Sequence, residues 1–143
     1  MDNIEKLEQR LSKKYEKQIN AIVIFDKLQE DILDLEKKFN KIFEASGSSI
    51  EFGYDANQDT DNISMSIDGT VANIRLVEQK GEFYIVVDDS SNRTASVILQ
   101  ITSADRVTPL DLRYHDNRTV NYTIHKNEIL DFIIGVVYNH NNY

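Results

Sequence analysis

Two hydrophobic periods divide this chain. Residues 1–46 hold neither glycine nor proline, and their apolar positions fall at Ile4, Leu7, Leu11, Ala21, Phe25, Leu28, Ile32, Leu35, Phe39 and Ile42. Steps of three and four place such residues along one side of a helix in a heptad-like stripe, interrupted where Lys14 and Gln18 occupy the seam. The spacing predicts either one helix of roughly 60 Å at 1.5 Å per residue, or two helices that part between Ser12 and Asn20. Asp2 with Glu5 three residues on reads as a capping box, and Gly47 as the residue that ends the helical stretch.

Beyond Gly47 the period falls to two. Alternation predicts strands at 49–54, 62–67, 71–77, 83–88, 94–101, 109–115 and 118–124, with tight turns at Asp68-Gly69, Lys80-Gly81 and Asp116-Asn117. Pro109, the only proline, is placed at the start of a strand, where its missing N–H is tolerated. A closing helix over 126–138 aligns Ile129, Phe132, Ile133, Val136 and Val137. The fold class that follows is α+β: an N-terminal helical arm, an antiparallel sheet of six or seven strands, and a C-terminal helix on one sheet face. Residues 1–46 form the arm and oligomerisation segment and residues 47–143 the sheet with its helix, in one folded unit.

Alternation also assigns faces. Ala72, Ile74 and Leu76 point inward, as do Ala95, Val97, Leu99 and Ile101, then Leu110, Leu112 and Tyr114, then Val120, Tyr122 and Ile124. Asn73, Arg75, Ser96, Gln100, Asp111, Arg113, His115, Asn121 and Thr123 fall on the opposite, polar face, with Arg93 and Arg118 at the turns beside it.

Charge sharpens this picture. The chain of 143 residues carries a net charge of −8, which repels duplex nucleic acid. Eight of the ten lysines lie in residues 1–41, whereas five of the six arginines lie between 75 and 118. Arginine is the rigid fork that pairs with phosphate or carboxylate in two bonds, and lysine the flexible solubiliser. The tripeptide Asn-Arg-Thr occurs twice, at 92–94 and 117–119, each time after an acidic polar cluster. Arg75, Arg93, Arg113 and Arg118 are therefore candidate anion ligands, against the plainer reading of surface ion pairs.

Catalytic and cofactor signatures are absent. The five glycines do not cluster into a phosphate loop, there is no cysteine, and neither a nucleophile elbow nor a zinc-protease helix pattern occurs. His115 has no marked nucleophile beside it. Asp55, Asn57, Asp59 and Asp61 follow the spacing of a calcium loop, but Thr60 and Ser66 stand where glycine and glutamate belong. A solvated acidic loop is the expectation, with no metal and no cofactor. No apolar run reaches a membrane span or a signal core, so the cytoplasm is the expected compartment.

Phe83 and Tyr84 enter the strand that ends in DDSSNR, and one ring must face the polar side or an edge. Beside arginines and Asn92 such a ring makes a nucleotide pocket; alternatively it belongs to the core or an oligomer contact. The stretches EFYIVVDDSSNRT (82–94) and LDLRYHDNRT (110–119), set in this layout, resemble phage Thoeris anti-defence proteins that sequester cyclic ADP-ribose signals. The resemblance implies a non-enzymatic homo-oligomer in the host cytoplasm that inhibits host defence by holding an intact nucleotide between protomers. By that resemblance Phe83 would stack, Asn92 would hydrogen-bond and Arg113 would bind phosphate; Arg75 joins them on physical grounds alone.

Two expectations concern assembly and partners. An arm this long exceeds what the remaining residues can bury, which predicts self-association through exchanged N-terminal helices, or else a helical hairpin across the chain's own sheet. Apart from nucleotide sequestration, the acidic chain fits a protein-interaction module of immunity, inhibitor or secretion-chaperone type. That module would bind through the polar sheet face or the arm.

Overall fold

The computed structural model describes residues 2–47, 53–57, 62–89, 95–116 and 118–138. Helix α1 spans Asn3–Lys14 and α2 spans Glu16–Ser46, so the arm is two helices. They meet at Tyr15, whose φ of −104° and ψ of 17° leave the helical well. The ladder is interrupted there: the Tyr15 N–H bonds the Leu11 carbonyl at 3.0 Å as the last rung of α1, and the Ile19 N–H bonds the Tyr15 carbonyl at 2.9 Å as the first rung of α2. Both ends are capped as the residue types dictate. The Asp2 carboxylate accepts the Glu5 N–H at 2.8 Å, and Gly47 takes the left-handed conformation, φ 69°, with its N–H directed at the Phe43 and Glu44 carbonyls.

A seven-stranded antiparallel sheet follows in simple meander order. Its strands are β1 (Gly53–Asn57), β2 (Asn62–Ile67), β3 (Thr70–Gln79), β4 (Glu82–Asp89), β5 (Ala95–Ile101), β6 (Arg106–Pro109) and β7 (Ile124–His125). A 3-10 turn (Lys126–Glu128) leads into α3 (Ile129–Val137). Asp68-Gly69 and Lys80-Gly81 have positive φ at both positions, 50° and 83°, then 53° and 79°. That pair of left-handed residues is the two-residue hairpin whose twist matches the strands it joins.

The inward set on β2 to β5 follows the period of two. Ile63, Met65, Ala72, Ile74, Ile85, Val87, Val97 and Leu99 are buried beneath α2 and α3. Helix α2 contributes Ala21, Ile24, Phe25, Leu28 and Ile32 to this core, and α3 contributes Ile129, Leu130, Ile133 and Val137. Full burial of each large aliphatic side chain contributes about 1.5–3 kcal/mol. The Tyr138 hydroxyl, 3.1 Å from the carbonyls of both Met65 and Thr70, ties the end of α3 to the β2–β3 hairpin. Burial pushes its ionisation up to about 12, aided by the nearby Asp89 carboxylate. Lys17, at the start of α2, bonds Glu82 at the start of β4.

The last third of the sheet departs from the alternation. Strands over 109–115 and 118–124 do not form; β6 ends at Pro109, which closes a strand instead of opening one. Only a bridge between Leu110 and Thr119 and the short β7 pair further on. The cause is local competition by Asp111. Its carboxylate accepts the Arg113 N–H at 3.2 Å and its carbonyl accepts the Tyr114 N–H at 3.2 Å, so the chain turns where the alternation predicts extension. Leu112, Tyr114 and Tyr122, expected inward, are therefore exposed, while Leu110 and Ile124 stay buried. The first strand also lies later than the expected 49–54, at Gly53–Asn57. The proposed calcium-loop residues Asp59 to Asp61 and the turn residue Asn117 lie outside the described residues.

Candidate functional site

The arginine-bearing loop is assembled by backbone first. Beyond Pro109 the Asp111 N–H bonds the Arg118 carbonyl at 2.7 Å and the Val120 N–H bonds the Pro109 carbonyl at 3.0 Å, closing the base of a loop whose residues 112–116 and Arg118 are exposed. Inside it Asp111 grips Arg113 through two parallel bonds, from Nε at 2.9 Å and from Nη2 at 2.7 Å. Arg118 Nη2 pairs with Asp116 at 3.0 Å. Both cations lie over the Tyr114 ring, the Arg118 guanidinium 3.9 Å and the Arg113 guanidinium 5.8 Å from its centroid. Two forks and a ring are thus brought together, but each fork already holds a carboxylate.

The Arg113 hydrogen bond holds the Asp111 carboxyl at about 2, well below 3.8, and Asp111 in turn raises the Arg113 guanidinium. A depressed carboxylate contributes order that is fully present above 3.8 and is lost as the pH falls through about 2. A carbon-detected NMR titration should therefore place the Asp111 midpoint near 2. An ordinary midpoint near 3.8 would mean that the fork does not hold in solution.

The remaining candidates do not converge on that loop. Arg75 stands on the outer face of β3 and pairs with Asp88 of β4 at 2.9 Å. From β3 to β6 is three interstrand steps, roughly 14 Å, and Arg75 and Arg113 are each turned to a carboxylate of their own element or its neighbour, not to a common point. Phe83 lies on the side of β4 that carries Ile85 and Val87 and packs against the core; Tyr84 takes the outer side. Asn92 and Arg93 lie outside the described residues. The clefts of 320–730 Å³ bounded by described residues have no arginine in their walls.

A second surface has no counterpart in the expected sheet face. Helix α1 buries none of its residues, and Ile4, Leu7, Leu11, Tyr15, Ile19 and Ile22 are 42–77% exposed. At 100° per residue, these six lie within about 60° of a common line. On this ideal spacing the line carries past Tyr15, and Ile4 and Ile22 stand five turns apart upon it. An apolar cleft of about 370 Å³ follows it, walled by Ile4, Leu7, Leu11, Tyr15 and Ile19 with only Glu8 and Ser12 as polar members. The buried stripe of α2 lies about 100° round the axis, so the chain's own sheet does not reach the exposed one.

The heptad-like spacing includes Ile4, Leu7 and Leu11 but joins them to the core stripe across the interruption at Lys14 and Gln18. Tyr15, Ile19 and Ile22 fell out of that pattern. The signal that separates the two stripes is an eleven-residue repeat, Ile4 to Tyr15 and Leu11 to Ile22, which follows a straight helix more closely than a heptad does.

No protein family, curated protein or solved structure matches this chain. Among the described residues no helix is long and apolar enough to cross a membrane, and no group of acidic, histidine or cysteine side chains is arranged to hold a metal.

Proposed function

We propose that this chain is a non-catalytic binding protein whose working surface is the apolar stripe of its helical arm. One observation carries the reading: six large apolar side chains run along a helix pair that the other described residues leave uncovered. Monomeric proteins rarely expose a contiguous apolar strip of this kind, and amphipathic helices bury such faces against another helix or an apolar groove. The occupant is thus a protein surface with matching apolar residues, not a small anion.

The test compares three forms of the full chain as baits: the wild type, Leu7→Glu/Leu11→Glu, and Arg113→Ala/Arg118→Ala. Proteins retained by the wild type and the arginine variant, but lost with the arm variant, identify the partner. Equal recovery of every protein with all three, further copies of this chain included, overturns the reading.

Sequestration of a nucleotide-derived anion is the second reading, and the stacking of Arg118 and Arg113 about Tyr114 favours it. A phosphate entering there must displace Asp111 and Asp116. Exposed ion pairs contribute only about 0–1 kcal/mol, so the displacement is feasible, but the carboxylates remain beside the anion and repel it. A thermal-shift panel of ADP-ribose, its cyclic isomers and cyclic dinucleotides decides. The arm reading expects no shift with any member. A shift of several degrees, removed by Arg113→Ala and accompanied by recovery of the unchanged nucleotide, would establish sequestration instead.

A further inference from the structure

We infer that the occupant of the arm is a second copy of the same arm, laid parallel to the first about a two-fold axis. This rests on the reading of the arm as the working surface and adds the identity and direction of what covers it. The charges that border the apolar line select that partner and that direction.

At 100° per residue, Glu5, Glu8 and Glu16 all fall on one side of the line through Ile4 and Ile22. Arg10, Lys14 and Lys17 all fall on the other side. The acidic border is visible as a surface, since Glu5, Glu8, Gln9, Ser12 and Glu16 wall one cleft with Lys13, Ile19 and Asn20. On the basic border the Lys14 ammonium lies over the Tyr15 ring at 5.3 Å and Lys17 reaches Glu82.

Two identical helices joined at such a line can run parallel or antiparallel. In the parallel pair each border meets the opposite border of its partner, so acid faces base along both edges. In the antiparallel pair each border meets its own kind, acid on acid and base on base. Flanking charges of this sort set partner choice and direction in helix pairs. The distribution therefore selects the parallel pair of identical arms.

The folded bodies permit it. The sheet sits about 100° from the apolar line, on the basic side. A two-fold axis running along the arms places the two bodies on opposite sides of the pair, where they do not collide. Each α2 stays on its own sheet, so the arms lie side by side without exchange. Half the circumference of a helix some 10–12 Å across, over a stripe of roughly 27 Å, comes to about 450 Å². That is below the roughly 800 Å² per partner of a standard interface, so the pair is concentration-dependent, forming and separating over the micromolar range.

The chain has no cysteine, which makes directed cross-linking clean. Ile4→Cys and Ile22→Cys are prepared separately in the full chain, oxidised mildly at about 50 µM, and weighed intact, with the wild type run in parallel by sedimentation equilibrium. The parallel pair expects a reversible dimer and a covalent dimer from each variant alone, because each position faces its own copy. Antiparallel arms bring residue 4 towards residue 22 of the other copy. Covalent dimer that forms only when the two variants are mixed would overturn the parallel arrangement. A wild type that remains monomeric up to about 100 µM would overturn self-pairing altogether. A monomer that still loses a protein partner on Leu7→Glu/Leu11→Glu leaves the arm reading standing with a different occupant. A monomer whose partners are unaffected by that variant sinks both.

Discussion

Leu7→Glu/Leu11→Glu should leave the folded chain as stable as the wild type in dilute solution while abolishing its association. Both side chains lie on α1, which contributes nothing to the core. Glutamate is close to leucine in helix propensity, so α1 itself persists. Surface substitutions away from packed or capped positions usually change stability by about 0.5 kcal/mol or less. The same two changes place charges at the middle of the apolar line, where a covering helix would have to desolvate them. Association should weaken by at least about a hundredfold, or about 2.7 kcal/mol. Circular dichroism in denaturant at low micromolar concentration reads the first half of this expectation and sedimentation reads the second. A collapse of stability in the variant would show that α1 is structural after all.

Leu28→Ala should do the reverse and destabilise the fold without touching the arm's exposed face. Leu28 is 1% exposed, midway along α2 between Ile24 and Ile32, both at 0%. It faces a sheet whose inward positions are filled by Ile63, Met65, Ile74, Ile85 and Leu99. Removing three carbon atoms there forfeits their transfer from water and leaves a cavity that rigid strands cannot close. Leucine-to-alanine changes at such sites cost about 2–5 kcal/mol. That is a large share of the roughly 5–15 kcal/mol that holds a domain of this size together. Equilibrium unfolding should show a midpoint shift of that size with an unchanged slope. A loss under about 1 kcal/mol would mean that α2 packs loosely, and the anchoring of the arm to the body would need another explanation.

The contrast between these two leucines shows what could be read from the chain in advance. The hairpins at Asp68-Gly69 and Lys80-Gly81 were legible because two successive left-handed residues leave few alternatives. The core strands β2 to β5 were legible because the buried period of two is continuous through them. Residues 109–124 alternate just as well but do not extend. There a single side chain, Asp111, offers its backbone neighbours a local partner that the pattern of apolar residues does not record. The choice between one helix and two was open for a similar reason, since no glycine or proline marks the bend at Tyr15.

The candidate site was less legible than the fold. Clustering of arginine in the second half pointed to an anion surface, but composition cannot show that Arg75, Arg113 and Arg118 each sit on a carboxylate of the same chain. The arm stripe was hidden by a small difference of period. A heptad tracks 3.5 residues per turn and joins Leu11 to the core residue Ala21, whereas 3.6 joins Leu11 to Tyr15 and Ile22. Over five turns that difference accumulates to a separate face of the helix. Among the described residues no element covers the exposed face, and from that the functional reading follows.

Sedimentation equilibrium of the wild type beside Leu7→Glu/Leu11→Glu, over about 1–100 µM, tests the arm most directly. The account predicts a wild type that passes from one chain to two across that range and a variant that stays at one chain throughout. Two species that are both paired would contradict the arm as the contact surface, and two that are both single would contradict the pairing of one arm with another.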